Sequence, residues 1–190
     1  SLIVTAYNEE SVIVPTVRAL LQLDYPEFEI LIVNDGSKDN SYEVLKQFAE
    51  RDKRIKVINL KKNYGQTAAI NAGIQNTKGE IIVLMDSDLE NIPSDIPSLI
   101  NKLNEGFDVV SGWRQKRWKG QFLTRKLPSL MANSLISKIS GVKLHDYGCT
   151  LKVYKKEVIN EVRLYGQMHR FIPVYCKWQG GKVTEVPVNY

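Results

Sequence analysis

Short apolar runs alternate with longer amphipathic stretches through the first half of the chain. Residues 2–6 (LIVTA), 28–33 (FEILIV), 55–60 (IKVINL) and 80–85 (EIIVLM) are too short for helices of their own. Their β-branched, near-continuous apolar character predicts strands covered on both faces. Residues 11–23, about 40–51 and 66–75 carry the helical spacing between them, with Pro15 admissible only in a first turn. Gly36 supplies a position able to take positive φ, and Ser37, Asp39 or Asn40 can cap the helix that follows. Beyond residue 90 the pattern predicts a helix over 94–104, a strand over 107–111 and an amphipathic helix over 128–140. A short strand over 150–154, a helix opening at 168–173 and a last strand over 182–188 complete it. Strand and helix in alternation predict one α/β domain built on a doubly wound, mostly parallel, twisted sheet with helices on both faces. A chain of 190 residues is long enough to bury a substantial core.

The polar residues that end these runs carry the candidate chemistry. The fourth strand runs directly into Asp86-Ser87-Asp88-Leu89-Glu90. Ligands of open α/β sheets bind beyond the carboxyl ends of strands, where Asp86 and Asp88 would project. Two carboxylates one residue apart repel unless a cation lies between them, and a hard divalent metal completed by phosphate oxygens and water meets that need. The same three residues also suit a plain polar turn, and the local sequence leaves both readings open. The chain has no G-x-G-x-x-G after its first strand and no G-x-x-x-x-G-K-[ST], which argues against a dinucleotide dehydrogenase and a P-loop kinase. Tyr7, Glu9, Asp35, Asp86 and Asp88 stand at strand ends instead, an acid-rich rim suited to base and ribose beside a metal.

Composition adds a basic segment and little else. With 43% hydrophobic and 25% charged residues and a net charge of +5 the chain is ordinary for a globular protein. The charge is uneven: Arg114, Lys116, Arg117, Lys119, Arg125 and Lys126 fall within residues 113–126 without an acidic neighbour. Such a block suits phosphate or an anionic membrane surface, and equally an ordinary solvated face. Trp113, Trp118 and Phe122 in the same segment either cap the core or meet an acyl chain. Cys149 and Cys176 make no disulfide framework and fit a reducing compartment. No apolar run approaches the ~20 residues of a membrane span. The chain opens at Ser1 inside a strand-like run and stops at Tyr190 just after another, so it is expected to be a catalytic domain excised from a longer, membrane-anchored protein.

With these residues in view, the chain resembles the family 2 glycosyltransferases of GT-A fold, close to the dolichyl- and undecaprenyl-phosphate sugar transferases. Thr5-Ala6-Tyr7-Asn8-Glu9, Val33-Asn34-Asp35-Gly36-Ser37, Asn63-Tyr64-Gly65-Gln66 and Asp86-Ser87-Asp88 resemble, in order, the family's three nucleotide loops and its metal motif. Asn34 departs from the family's usual Asp. The resemblance implies a nucleotide-sugar site made of Ala6, Tyr7, Glu9, Asp35, Gly65, Gln66 and Asp86. It also implies Mg²⁺ or Mn²⁺ on Asp86, Asp88 and Glu90, the last where the family commonly has Gln. Ser111-Gly112-Trp113-Arg114, Arg125 and Ser129 are similar to the pattern that receives the lipid phosphate. Asp146 through Lys152 is similar to the loop carrying the presumed catalytic Asp, and Met168 through Pro173 to a segment typical of polyprenyl-phosphate transferases. The family's His and Arg motif beyond the last strand would fall after Tyr190.

By that resemblance the reaction is inverting transfer of a hexose from a UDP-glucose-like or GDP-mannose-like donor to a polyprenyl phosphate. Asp88, Asp146, Arg114 and Arg125 are then the catalytic set, and Arg114, Arg125 and Ser129 grip the acceptor phosphate. Asp146 orients the acceptor, acts as a weak base or holds an arginine. His145 and His169 are expected in polar structural roles. Residues 1–90 form the nucleotide-sugar and metal half and 91–190 the acceptor half, at the cytoplasmic face of a membrane, with oligomerisation open and no nucleic-acid partner. Gln115-Lys116-Arg117-Trp118 is one residue short of the processive Q-x-x-R-W motif and precedes Asp146, so it is read as coincidence. A family 2 enzyme acting on a glycan or protein hydroxyl, and a non-catalytic nucleotide binder, remain as alternatives.

Overall fold

A computed structural model describes residues 1–115 and 127–189, with the backbone alone for 127–132. Arg125, Trp118, Phe122 and the side chain of Ser129 therefore lie outside the described residues. The strands are β1 (Leu2–Ala6), β2 (Ile30–Asn34), β3 (Ile55–Asn59), β4 (Ile81–Asp86), β5 (Val109–Trp113), β6 (Lys152–Lys155) and β7 (Val183–Pro187). The helices are α1 (Ile13–Leu21), α2 (Ser41–Arg51), α3 (Gln66–Gln75), α4 (Ile96–Asn104), α5 (Leu127–Ser140), α6 (Lys156–Asn160) and α7 (Ile172–Trp178).

The seven strands among the described residues form one sheet in the order β3-β2-β1-β4-β6-β5-β7. Every pairing is parallel except those of β6, which runs antiparallel to both β4 and β5. Alternation along the strands divides the core. Leu2, Val4, Ile30, Ile32, Val83, Met85 and Val153 face Ile13, Val17 and Leu20 of α1, Leu45 of α2 and Leu99 of α4. Ile3, Leu31, Val33, Ile82, Leu84 and Tyr154 face Ala69, Ile70 and Ile74 of α3 and Ile172 of α7. Each such aliphatic side chain contributes about 1.5–3 kcal/mol on burial. The Ala-rich α3 lies close on the sheet because Gly73 gives it room: a Cβ there would stand 2.5 Å from Cγ2 of buried Ile3.

Several boundaries differ from the sequence expectation. Pro15 does sit in the first turn of α1, which begins at Ile13. The fifth strand starts at Val109, two residues late, because Asp108 serves as a tie: its carboxylate accepts from Lys155 Nζ at 2.7 Å and from the Lys182 amide at 2.8 Å. The segment at 168–171 is a 3-10 turn leading into α7. Helix α6, five residues long, is too short to show a period.

Glu29 makes a second tie at the same amino-end rim of the sheet, before β2. It accepts from Ser1 Oγ at 2.6 Å, Lys56 Nζ at 2.6 Å and the Lys78 amide at 2.7 Å. Partial burial alone would raise this carboxyl, but the bond from Lys56, then those from Ser1 and Lys78, bring it from 4.5 to about 2. A depressed carboxyl stabilises the fold above its unfolded value and ceases to as pH falls through the folded one. Glu29→Gln is expected to lower unfolding free energy by about 1–2 kcal/mol at pH 7. Denaturant titrations should show that difference closing between pH 4.5 and 2; a difference independent of pH would contradict it.

Candidate functional site

The nucleotide side of the site is built at the carboxyl ends of β1, β2 and β4. The chain winds outward from β1 through β2 to β3, then returns past β1 to β4, so β1 and β4 flank the point where strand order reverses. Backbones diverge at such a point and leave a crevice. Thr5 pairs with Asp86 across it. A pocket of about 270 Å³ opens there, lined by Ala6, Tyr7, Glu9, Asp35, Gly65, Gln66 and Asp86, together with Thr5, Asn63 and Asp88 among others. All seven residues expected to hold the nucleotide sugar thus meet around one cavity.

Asp35 fixes one wall of this pocket. Its two carboxylate oxygens accept from the amides of Tyr64 at 2.8 Å and Gly65 at 2.9 Å, which draws the loop after β3 toward the end of β2. Gly36, at φ +68°, passes so close that a Cβ would lie 2.3 Å from the Lys62 carbonyl carbon. Asn34, where the family usually has Asp, is buried and spent on structure: its amide donates to Asn59 Oδ1 at 2.7 Å, and its Oδ1 accepts from Ser37 Oγ.

Carboxylates crowd the crevice. Asp86 Oδ1 accepts from Thr5 Oγ1 at 3.1 Å and Gln66 Nε2 at 2.6 Å, yet burial and then the nearby Asp88 charge still raise its carboxyl above the ordinary value. Glu9 is raised likewise, by burial first and then by Asp88 and Asp86. Asp88 itself is exposed and accepts from the Glu90 amide at 3.0 Å, across a turn in which Leu89 takes φ +64°. Among the described residues no three His, Cys, Asp or Glu side chains close around one point. Glu90, expected as a third metal ligand, holds Arg114 Nη1 at 2.7 Å. Two hard oxygen donors whose repulsion goes unrelieved, open to a pocket, fit a divalent cation of the Mg²⁺ type, which takes one or two carboxylates and completes its shell with phosphate and water.

A second cavity, of about 200 Å³, adjoins the first and shares Thr5, Gln66, Asp86 and Asp88 with it. Its far wall exists because β6 runs backwards. The amino end of β6 reaches the same rim as the carboxyl ends of β4 and β5, so residues 145–151 lie over the site. Tyr147 anchors this loop with Val142, Leu144 and Val174 and donates to the Val142 carbonyl at 2.6 Å. Arg114, at the end of β5, donates to Asp146 through Nε at 2.8 Å and Nη2 at 3.2 Å. Burial opposes the guanidinium charge, but the hydrogen bonds and charge of Asp146 more than restore it. Of the options for Asp146, holding an arginine is the one drawn in the geometry.

Among the described residues neither histidine belongs to a metal-like cluster, although His169 lines the second cavity. His169 shares a 3.0 Å hydrogen bond with Thr67 Oγ1, and His145 stacks on Trp113 with ring centroids 4.2 Å apart and pairs with Glu185. The sequence reading missed Thr5, Lys152 and Tyr154 as lining residues. No local signal separates Lys152 or Tyr154 from ordinary strand residues, since β6 carries a lysine at each end.

Residues 1–163 match the profile of glycosyl transferase family 2. The chain is 44% identical over 188 residues to a dodecaprenyl-phosphate galacturonate synthase of Rhizobium johnstonii, covering 96% of this chain and 54% of that protein. It is 37% identical over 194 residues to an undecaprenyl-phosphate 4-deoxy-4-formamido-L-arabinose transferase of Salmonella paratyphi A, covering all of this chain and 59% of the relative. The chain therefore spans little more than half the length of these curated relatives. Among solved structures, a Pyrobaculum calidifontis mannosyltransferase in complex with GDP-Man and Mn²⁺ superposes with a TM-score of 0.75 at 19% identity, covering 98% of this chain and 54% of that one. A Mycobacterium tuberculosis glucosyl-3-phosphoglycerate synthase in complex with Mn²⁺ and UDP-glucose superposes with a TM-score of 0.76 at 17% identity, covering 99% and 68%. These likenesses establish the GT-A fold, and the match over residues 1–163 establishes that the chain belongs to glycosyl transferase family 2.

Proposed function

We propose that the chain transfers a hexose, with inversion, from a nucleoside diphosphate sugar to a polyprenyl phosphate. The observation that carries this reading is the continuity of the two cavities across Asp86 and Asp88. A pocket suited to a nucleotide lies on one side of the carboxylate pair, and a cavity walled by Arg114 and by Tyr147, Gly148 and Thr150 lies on the other, with Asp146 behind it holding Arg114. Both curated relatives described above are named for polyprenyl-phosphate acceptors.

Displacement at the anomeric carbon passes through an oxocarbenium-like state while charge builds on the departing diphosphate. Asp86 and Asp88 would hold a divalent cation, which when bound would supply Lewis-acid stabilisation of that charge. Glu9 and Asp35 shape the nucleotide side, and exposed Tyr7 offers a ring to the base. The acceptor phosphate arrives already ionised, so positioning outweighs proton removal. Arg114 is pre-set by Asp146 with its guanidinium plane fixed, and with Arg125 and Ser129 it is assigned the acceptor oxygens. Residues 1–90 then serve mainly the nucleotide, its diphosphate and the metal, and 91–190 mainly the acceptor. The basic run within 113–126 and the exposed Leu135, Ile139 and Trp178 support work at a membrane surface. Among the described residues no helix is long and apolar enough to cross one.

The test is incubation of the protein with labelled nucleoside diphosphate sugars, Mg²⁺ or Mn²⁺ and a polyprenyl phosphate, followed by extraction into organic solvent. Label in the lipid phase supports the proposal. Label that stays aqueous across a broad donor panel, or moves only to a glycan hydroxyl, overturns it.

A further inference from the structure

The inner end of the second cavity holds two polar groups that the transfer chemistry above does not use. Strand β6 turns Val153 toward α1 and α4 and turns Lys152 and Tyr154 to the opposite face, beside Ile3 and Leu84. Lys152 is 4% exposed. Its Nζ donates to the carbonyls of Cys149 and, at 3.4 Å, Tyr147. An ammonium has three N–H donors, so one remains. No carboxylate among the described residues lies within ion-pair distance of it. Tyr154 is fully buried, and its hydroxyl has no hydrogen-bond partner among the described residues. Buried cations are ordinarily paired and buried hydroxyls ordinarily bonded, so two exceptions on one face of one strand, lining one cavity, point to a missing occupant.

We propose that this recess reads a carboxylate on the donor sugar, so that the transferred residue is a hexuronic acid. The inference rests on the reading of the site as a nucleotide-sugar transferase. A carboxylate accepts from both an ammonium and a phenol and would give Lys152 a direct ion pair, where Asp146 and Asp86 act on it only from beyond contact distance. Position separates it from the phosphates. The diphosphate belongs at Asp86 and exposed Asp88 on the rim, and the acceptor phosphate at Arg114, whereas Lys152 and Tyr154 lie deeper against the aliphatic Ile3 and Ile70. A pyranose ring placed between rim and recess would set its apolar face against the isoleucines and its C6 group inward.

The experiment is calorimetric binding of matched donors in Mg²⁺: UDP-galacturonate against UDP-galactose, UDP-glucuronate against UDP-glucose, and GDP-mannuronate against GDP-mannose, with UDP and GDP alone as references. In at least one pair the uronate should bind about tenfold to a hundredfold tighter than its neutral partner. Lys152→Met should reduce that ratio to near one while leaving the bare nucleotide unchanged, and Lys152→Arg should keep part of it. Tyr154→Phe preserves shape, should leave thermal stability equal or higher, and should reduce the ratio several-fold, so the test survives if Lys152→Met does not fold. Equal binding of uronate and neutral donors overturns the proposal. So does a Lys152→Met that weakens bare nucleotide and both donors alike, which would assign the lysine to the diphosphate. Because lipid is absent, a uronate preference without label transfer to polyprenyl phosphate sinks only the acceptor assignment, and transfer without the preference sinks only this one.

Discussion

Asp88→Asn is expected to lower sugar transfer by a factor on the order of 10²–10³, the usual loss when one group facing developing charge is removed. Asparagine keeps the shape of the turn and still offers an oxygen to the Glu90 amide, which now meets Asp88 Oδ1 at 3.0 Å. The loss would therefore reflect charge. Rate against Mg²⁺ or Mn²⁺ concentration should shift to higher metal, and nucleotide binding should lose its dependence on the cation. With Asp88 neutral, one of the charges that raise Asp86 and Glu9 disappears, so both should titrate lower. A variant with full rate and unaltered metal dependence would remove Asp88 from the cation site.

Asp146→Ala is expected to destabilise the fold by about 3–5 kcal/mol, the cost of leaving a buried charge without its main partner. Arg114's side chain is only 2% exposed and Asp146's 11%. Two guanidinium hydrogen bonds and the one from the Gly148 amide, at 3.1 Å, end on this carboxylate. The melting temperature should fall by roughly 10 °C. Replacing both partners, as Arg114→Met with Asp146→Leu, should recover most of the stability, because a well-packed apolar pair often matches a buried ion pair. That double variant should stay inactive. If it regains transfer, the pair is scaffolding and the acceptor phosphate is gripped elsewhere. If Asp146→Ala melts with the wild type, the pair is not holding the loop.

The donor half was legible in the chain because its signals are local. Residues 2–6, 30–34 and 81–86 are apolar runs that end in or lead directly into polar residues, and parallel strands bring their carboxyl ends together without further information. Asp35 and Gly65 come from different loops yet meet for that reason alone. The acceptor half was less legible because its geometry depends on strand direction, which a run such as Lys152–Lys155 does not encode. Nothing local in Glu90 says that its carboxylate turns to Arg114 rather than toward Asp88. Lys152 and Tyr154 read as ordinary strand residues, since an unpaired hydroxyl or ammonium is visible only once the neighbours are placed.

The reversed strand has a further consequence for how the chain is made. β6 lies between β4 and β5, so until about residue 155 has emerged from the ribosome the hydrogen-bonding edge of β4 has no neighbour on that side. The donor half, complete in sequence by residue 90, waits as a four-stranded sheet with an open, strongly apolar edge for the synthesis of a further ~60 residues, which takes several seconds at ordinary elongation rates. Open edges of this kind recruit other strands. Folding yield should therefore be set by translation speed between 90 and 155 and by whatever shields that edge meanwhile, more than by the stability of the finished domain.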